Sequence, residues 1–130
     1  MTKEQLIKKF PSIFKDYNKR KEGINSPFAW YGIECGNGWL PLINDLCTEL
    51  DLMCPDQITA QQVKEKFGML RFYIKYDGDG SWKFPQSIIS KYENRSATIC
   101  EYCGRHGSLN DNGWIKCLCD ECRIKDKFEE

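Results

Sequence analysis

Five cysteines crowd into ICEYCGRHGSLNDNGWIKCLCDEC, residues 99 to 122. Cys100 and Cys103 form one CxxC pair, Cys119 and Cys122 another, and fifteen residues separate the two. Two thiolates on one tight turn can bite a single ion at about 2.3 Å, and two such turns complete a tetrahedron. The spacing therefore predicts a four-cysteine site for one structural zinc ion, with an iron–sulfur cluster as the alternative for the same ligands. Gly104 follows the first pair, where a knuckle turn brings backbone N–H groups to face the sulfurs. Cys117 makes only a CxC with Cys119, which bends less readily around one ion, and it is left out of the ligand set. Four thiolates leave no open coordination position. Such a metal contributes folding free energy, on the order of 10 kcal/mol in zinc-finger peptides, and no Lewis-acid chemistry.

A second constellation lies in WYGIECGNGWLPLI, residues 30 to 43. Glu34 and Cys35 precede Gly36-Asn37-Gly38, and a helical pattern starts at once at Trp39. Free N–H groups at a helix start can hold an anion, and two glycines allow close approach. Trp30 and Trp39 can stack on a ring, while Lys64, Lys66 and Arg71 can complete a phosphate or carboxylate site. The competing reading makes Gly36-Asn37-Gly38 a plain turn and the aromatics core. Cys35 near a helix start can carry a lowered pKa, but no base stands beside it in sequence, so it reads as a buried thiol. Cys47 falls on an apolar helix face, and Cys54 is a bystander.

The two CxxC knuckles also resemble the zinc frame of HNH-type nucleases. Those place an Asp-His pair and a later Asn or His between the knuckles. This chain has one histidine, His106, and no Asp-His pair, so it cannot supply both a base and a catalytic metal ligand. No catalytic residue is predicted.

The elements that must position these residues follow from pattern. Thr2-Lys3-Glu4-Gln5 is a capping box opening a helix that Pro11 breaks or kinks and Lys19-Arg20-Lys21 ends. Residues 23 to 37 read as an apolar loop. A helix is predicted over 38 to 52, with Pro41 in its first turn. Residues 62 to 76 alternate, predicting a hairpin that turns at Phe67-Gly68 and sets Leu70, Phe72, Ile74 and Tyr76 on the inner face. Asp77-Gly78-Asp79-Gly80 is a turn. It lacks the glutamate of a calcium loop. Residues 86 to 98 predict a further helix, and the tail after Cys122 is helical. The result is one α+β domain over residues 1 to 130: an α+β core to residue 98, with a hairpin packed on helices, and a zinc knuckle over 99 to 122.

Charge narrows the partners. The formal net charge is zero, distributed as +4 over residues 1 to 22, −5 over 23 to 63, +3 over 64 to 98 and −2 over 99 to 130. Residues 23 to 63 hold no Lys or Arg at all. Non-specific nucleic-acid binding needs a basic surplus, which only a local face can provide here. No apolar run is signal-like or long enough to span a bilayer, which predicts a cytoplasmic protein with no membrane partner.

The blocks ECGNGWLPLI, QVKEKFGMLRFYI, CEYCG and LCDEC, in that order, resemble a family of small zinc-knuckle proteins from phages, prophages and bacteria. The resemblance spans roughly residues 28 to 122. It rests outside the knuckles on Glu34, Cys35, Gly36, Gly38, Trp39, Lys64, Lys66, Phe67, Gly68, Leu70, Arg71 and Phe72. It implies a cytosolic, often phage-borne accessory protein, and it brings no established activity. The combined expectation is a non-enzymatic binding protein with a site at Trp30, Glu34, Gly36, Asn37, Gly38, Trp39, Lys64, Lys66 and Arg71. Its partner would be a small anionic, nucleotide-like ligand or a host protein, as in a countermeasure to host defence. The alternatives are a nucleic-acid-binding knuckle module and a protein-interaction adaptor.

Overall fold

The computed structural model describes residues 1–110 and 113–128. Its centre is the hairpin. Strands β2 (Ile58–Lys66) and β3 (Met69–Tyr76) pair antiparallel, with Lys66 opposite Met69 and Glu65 opposite Leu70. The two linking residues, Phe67 and Gly68, have φ of 53° and 80°, the left-handed pair that matches strand twist in a two-residue turn. Gly68 tolerates this, whereas Phe67 is strained by it. The pairing slips by one residue between Ala60 and Gln62, a bulge that the alternation pattern did not reveal. Leu70 and Phe72 are fully buried and Ile74 and Tyr76 partly so, as the period-two pattern predicts.

A short strand β1 (Ile33–Glu34) runs parallel to β2, placing Ile33 beside Val63 and Glu34 beside Lys64. Parallel neighbours need a crossover, which is helix α3 (Leu40–Met53). A single 3₁₀ turn, Asn37–Trp39, leads into it. Leu42, Ile43, Leu46, Cys47 and Leu50 bury its inner face, and Pro41 stands in its first turn, where no N–H is needed. Helix α4 (Lys83–Ser96) lies along the free edge of β3. Ser96 Oγ accepts from the N–H of Leu70 and Glu93 accepts from that of Phe72, so two edge donors are satisfied by helix side chains.

Two expectations are corrected. Helix α1 (Lys3–Lys9) has the predicted capping box and breaks before Pro11, so it does not run on to the Lys19-Arg20-Lys21 cluster expected to end it. Pro11 has no N–H and its ring opposes a continuing helix. The chain instead turns, and the Ile13 carbonyl accepts from the N–H of Ala60 in β2 at 2.8 Å. The apolar segment 23–37 is not all loop. Ser26 caps helix α2 (Pro27–Tyr31), accepting from the N–H of Ala29, and Pro27 is its first residue. That Ser-Pro start was legible in the sequence.

Phe14 stacks on Phe28 at 5.1 Å and meets the edge of Phe72, tying the N-terminal turns to the inner sheet face. The C-terminal lobe adds a two-stranded ribbon, β4 (Ser108–Leu109) with β5 (Cys117–Leu118), and helix α5 (Asp120–Phe128). The expected helical tail is present to Phe128; residues 129 and 130 lie outside the described residues. Among the described residues no helix is long and apolar enough to cross a membrane.

Candidate metal centre

Two local structures bring the four cysteines together. Cys100 follows the last turn of α4, and the chain then reverses. The N–H of Gly104 donates to the Cys100 carbonyl at 3.0 Å, and the N–H of Cys100 donates to the Arg105 carbonyl at 2.7 Å. Gly104 has φ of 84°, which closes this knuckle at little steric cost. The second knuckle leaves β5 at Cys119 and enters α5, whose first turn carries Cys122. The backbone N–H of Cys122 points at the Cys119 sulfur, 3.4 Å away.

The four sulfurs lie within 4.8 Å of one another, and those of Cys103 and Cys119 are 3.6 Å apart. A tetrahedron with 2.3 Å metal–sulfur bonds has sulfur edges of about 3.8 Å. The donor set therefore fits one ion, and the four cysteines chosen by spacing are those that converge. Arg105 approaches Cys103 at 3.5 Å, and its side chain and backbone hold that thiol down at about 6. Burial, then the neighbouring sulfurs, push Cys122 up to about 12. Sulfurs this close cannot all be thiolates unless a cation sits among them. Arg105 is fixed in turn by Glu121 at 2.8 Å.

Cys117 stands apart from this set. It is fully buried, joins the core and aims its thiol at the Ile99 carbonyl, 3.2 Å away. Burial raises its pKa.

The glycine block explains itself against the first knuckle. The N–H of Gly38 donates to the Glu101 carbonyl at 2.7 Å, and the Trp39 indole N–H donates to the Ile99 carbonyl at 2.8 Å. The N–H of Gly36 donates to the Glu101 carboxylate at 2.8 Å. A β-carbon on Gly36 would stand 2.5 Å from the Glu101 carbonyl oxygen. One on Gly38 would overlap the Cys100 carbonyl and meet the Gly104 nitrogen at 2.6 Å. Backbone lies on backbone, and only glycine fits. The cradle of N–H groups predicted to take an anion does hold a carboxylate, but it is the chain's own. Glu101 is 6% exposed, and its second carboxylate oxygen has no partner among the described residues. Burial raises its pKa, opposed by the Gly36 N–H. Burial, reinforced by Glu101, pushes the Cys35 thiol up to about 12, which suits a core residue and no nucleophile.

The remaining predicted ligand residues fall elsewhere. Trp39 is completely buried, and Asn37 is exposed at the turn. Trp30 is half exposed on α2, its indole donating to Asn25 under the Arg20 guanidinium, 5.1 Å away. Lys64 and Arg71 stand opposite each other on the outward face of the hairpin, with Glu34 beside Lys64 across β1. Arg71 and Lys66 line an open recess of about 430 Å³ with Tyr73, Gln86 and Glu93. Trp30 lines a different recess that shares no residue with it. Neither of these two recesses is lined by the glycine turn.

Sequence reasoning missed Glu101 as a functional residue. Its signal was its place: an acidic side chain inside CEYC must point either at the metal or away from it, and here it turns inward to the glycine turn. Comparison with protein-family models, curated proteins and solved structures returned no match.

Proposed function

We propose that the chain is a non-enzymatic binding module in which one structural zinc ion closes the C-terminal lobe and the outward hairpin face takes a single-stranded nucleic acid. Zinc is supported by the closed all-sulfur donor set, which matches its preferred tetrahedral geometry. One observation carries the partner. Lys64 and Arg71 are direct cross-strand neighbours on one face, and among the described residues neither has a carboxylate within 4.0 Å. Like charges placed opposite each other destabilise a sheet unless an anion joins them. Tyr73 continues the same row, and exposed Phe67 caps the tip, so bases have aromatic faces to stack on beside the cations.

The face is open, which favours an extended polyanion over an enclosed small molecule. A second reading has one observation of its own. The recess at Lys66, Arg71 and Tyr73 has a volume suited to one nucleotide. The phage-borne, anti-defence role expected above rests on the resemblance alone.

Fluorescence anisotropy with a labelled oligonucleotide tests the reading. Neutralising about three phosphates gives a log–log salt slope of about −2. Arg71→Ala should weaken binding without loss of metal. A mononucleotide that binds as tightly as the oligonucleotide would transfer the site to the recess. No binding of either, with metal in place, would remove this function.

A further inference from the structure

The end of the molecule formed by the C-terminus of α3 and the N-terminus of α4 carries exposed apolar side chains that no contact described above uses. Leu52 is 77% exposed, Met53 50%, Trp82 63% and Phe84 46%. Single exposed apolar residues are ordinary, but a contiguous set is a site of interaction. Contiguity follows from how the helices pair. Glu49 of α3 accepts from Lys91 and from the Tyr92 hydroxyl of α4, at 2.7 and 2.8 Å, while Trp39 reaches Ile99 at the other end. The helices are therefore antiparallel. Leu52 and Met53 lie one turn beyond Glu49 on its own stripe. Phe84 lies two turns before Lys91 on its stripe. Both stripes run out at the same end, and Trp82 caps α4 there.

The rim of this patch is acidic. Burial, and then the nearby Asp56 carboxylate, raise the pKa of Asp51. The N–H of Asp77 donates to the Gln57 carbonyl at 2.9 Å, which sets the Asp77-Gly78-Asp79-Gly80 turn beside Asp56. Against these four aspartates stand two lysines: Lys83, between Trp82 and Phe84, and Lys75, which already faces Asp77 at 3.9 Å. These aspartates form no metal-holding group; among the described residues the four cysteines alone do.

We infer that this end of the α3–α4 pair docks a basic amphipathic segment of a protein partner, its apolar side chains against Leu52, Met53, Trp82 and Phe84 and its cations against the aspartates. Charge decides the occupant. A two-fold pairing with a second copy would set the acidic rim against itself. A segment with leucine-like anchors on one side and lysines on the other complements both features, as in helix-in-groove recognition. The surface is separate from the basic hairpin face, so the chain can bridge two partners, and failure at one surface leaves the other standing.

The test uses the full metal-loaded chain and a synthetic leucine–lysine helix of about four turns. Its control is a peptide of the same composition, shuffled so that leucine and lysine no longer segregate. Isothermal titration should show the amphipathic peptide binding at least about tenfold tighter than the shuffled one. The double variant Leu52→Ser/Phe84→Ser should lose that preference while keeping its metal, since both side chains are exposed. Asp56→Asn/Asp79→Asn should weaken binding about threefold and flatten its salt dependence. Equal binding of the two peptides, or a preference that survives the serine pair, would overturn the inference. So would self-association in sedimentation velocity that the serine pair abolishes, because the occupant would then be a second copy.

Discussion

The seam between the glycine turn and the first knuckle contrasts with the outward hairpin face. Both are built from short blocks that look equally suited to a ligand: N–H groups and glycines in one, lysine and arginine in the other. In the seam the Gly36 and Gly38 N–H groups already have a partner within the chain, and the glycines are glycines because another backbone occupies the space. On the hairpin the half-exposed cations Lys64 and Arg71 close no ion pair within 4.0 Å among the described residues, although Glu34 stands beside Lys64 and Glu93 shares a recess with Arg71. A ligand-like motif signifies a ligand only where the fold leaves it unsatisfied.

Removing the metal should break this comparison most severely. Without an ion the four sulfurs repel or protonate, the first knuckle loses its shape, and the seam loses what it grips. A strong chelator should abolish cooperative melting of the C-terminal lobe, with a loss on the order of 10 kcal/mol by the zinc-peptide scale. Cys119→Ser should do nearly the same. Circular dichroism melts alongside metal counting check it. Unchanged melting after chelation would mean that the seam holds the lobe alone.

Gly38→Ala comes next. Its β-carbon would overlap the Cys100 carbonyl, so the knuckle must back away, at a cost of about 3 kcal/mol. Gly113 is the control: its φ is 71°, but nothing lies within 4 Å, so Gly113→Ala should cost only about 1 kcal/mol in strain. Equal losses would show that conformation, not contact, selects these glycines. Chemical denaturation of both variants decides it.

Much of this was legible. The ligand set, the hairpin with its turn at Phe67-Gly68, and both long helices come from spacing and period, which are local properties. The bulge beside Gln61, the parallel pairing of Ile33-Glu34 with Val63-Lys64 and the docking of Glu101 on Gly36 were not. Each depends on residues far apart in sequence, and in the last case the partner stands sixty-five residues away. A glycine turn reads the same whether an external phosphate or a distant glutamate fills it.

Glu101 itself sharpens the point. Glu101→Ala leaves the Gly36 N–H buried without an acceptor, which should cost about 2 kcal/mol. Glu101→Gln keeps an acceptor oxygen for that N–H and removes a buried charge, so it should stay within about 1 kcal/mol of the parent. Equal, large losses in both would mean that the charge is needed, and that an unseen cation belongs beside its unpartnered oxygen.

The smallest effect on stability is the most telling, because binding should move while stability hardly does. Lys64 stands between Arg71 on β3 and Glu34 on β1, so repulsion from the one is offset by attraction to the other in the free protein. Lys64→Gln should therefore leave stability within about 0.5 kcal/mol of the parent and at the same time weaken oligonucleotide binding several-fold. In the seam substitution should move stability alone, since the Gly36 and Gly38 N–H groups are already held by Glu101. A Lys64→Gln variant that is less stable, or that binds as before, would place the hairpin face with the seam as structure.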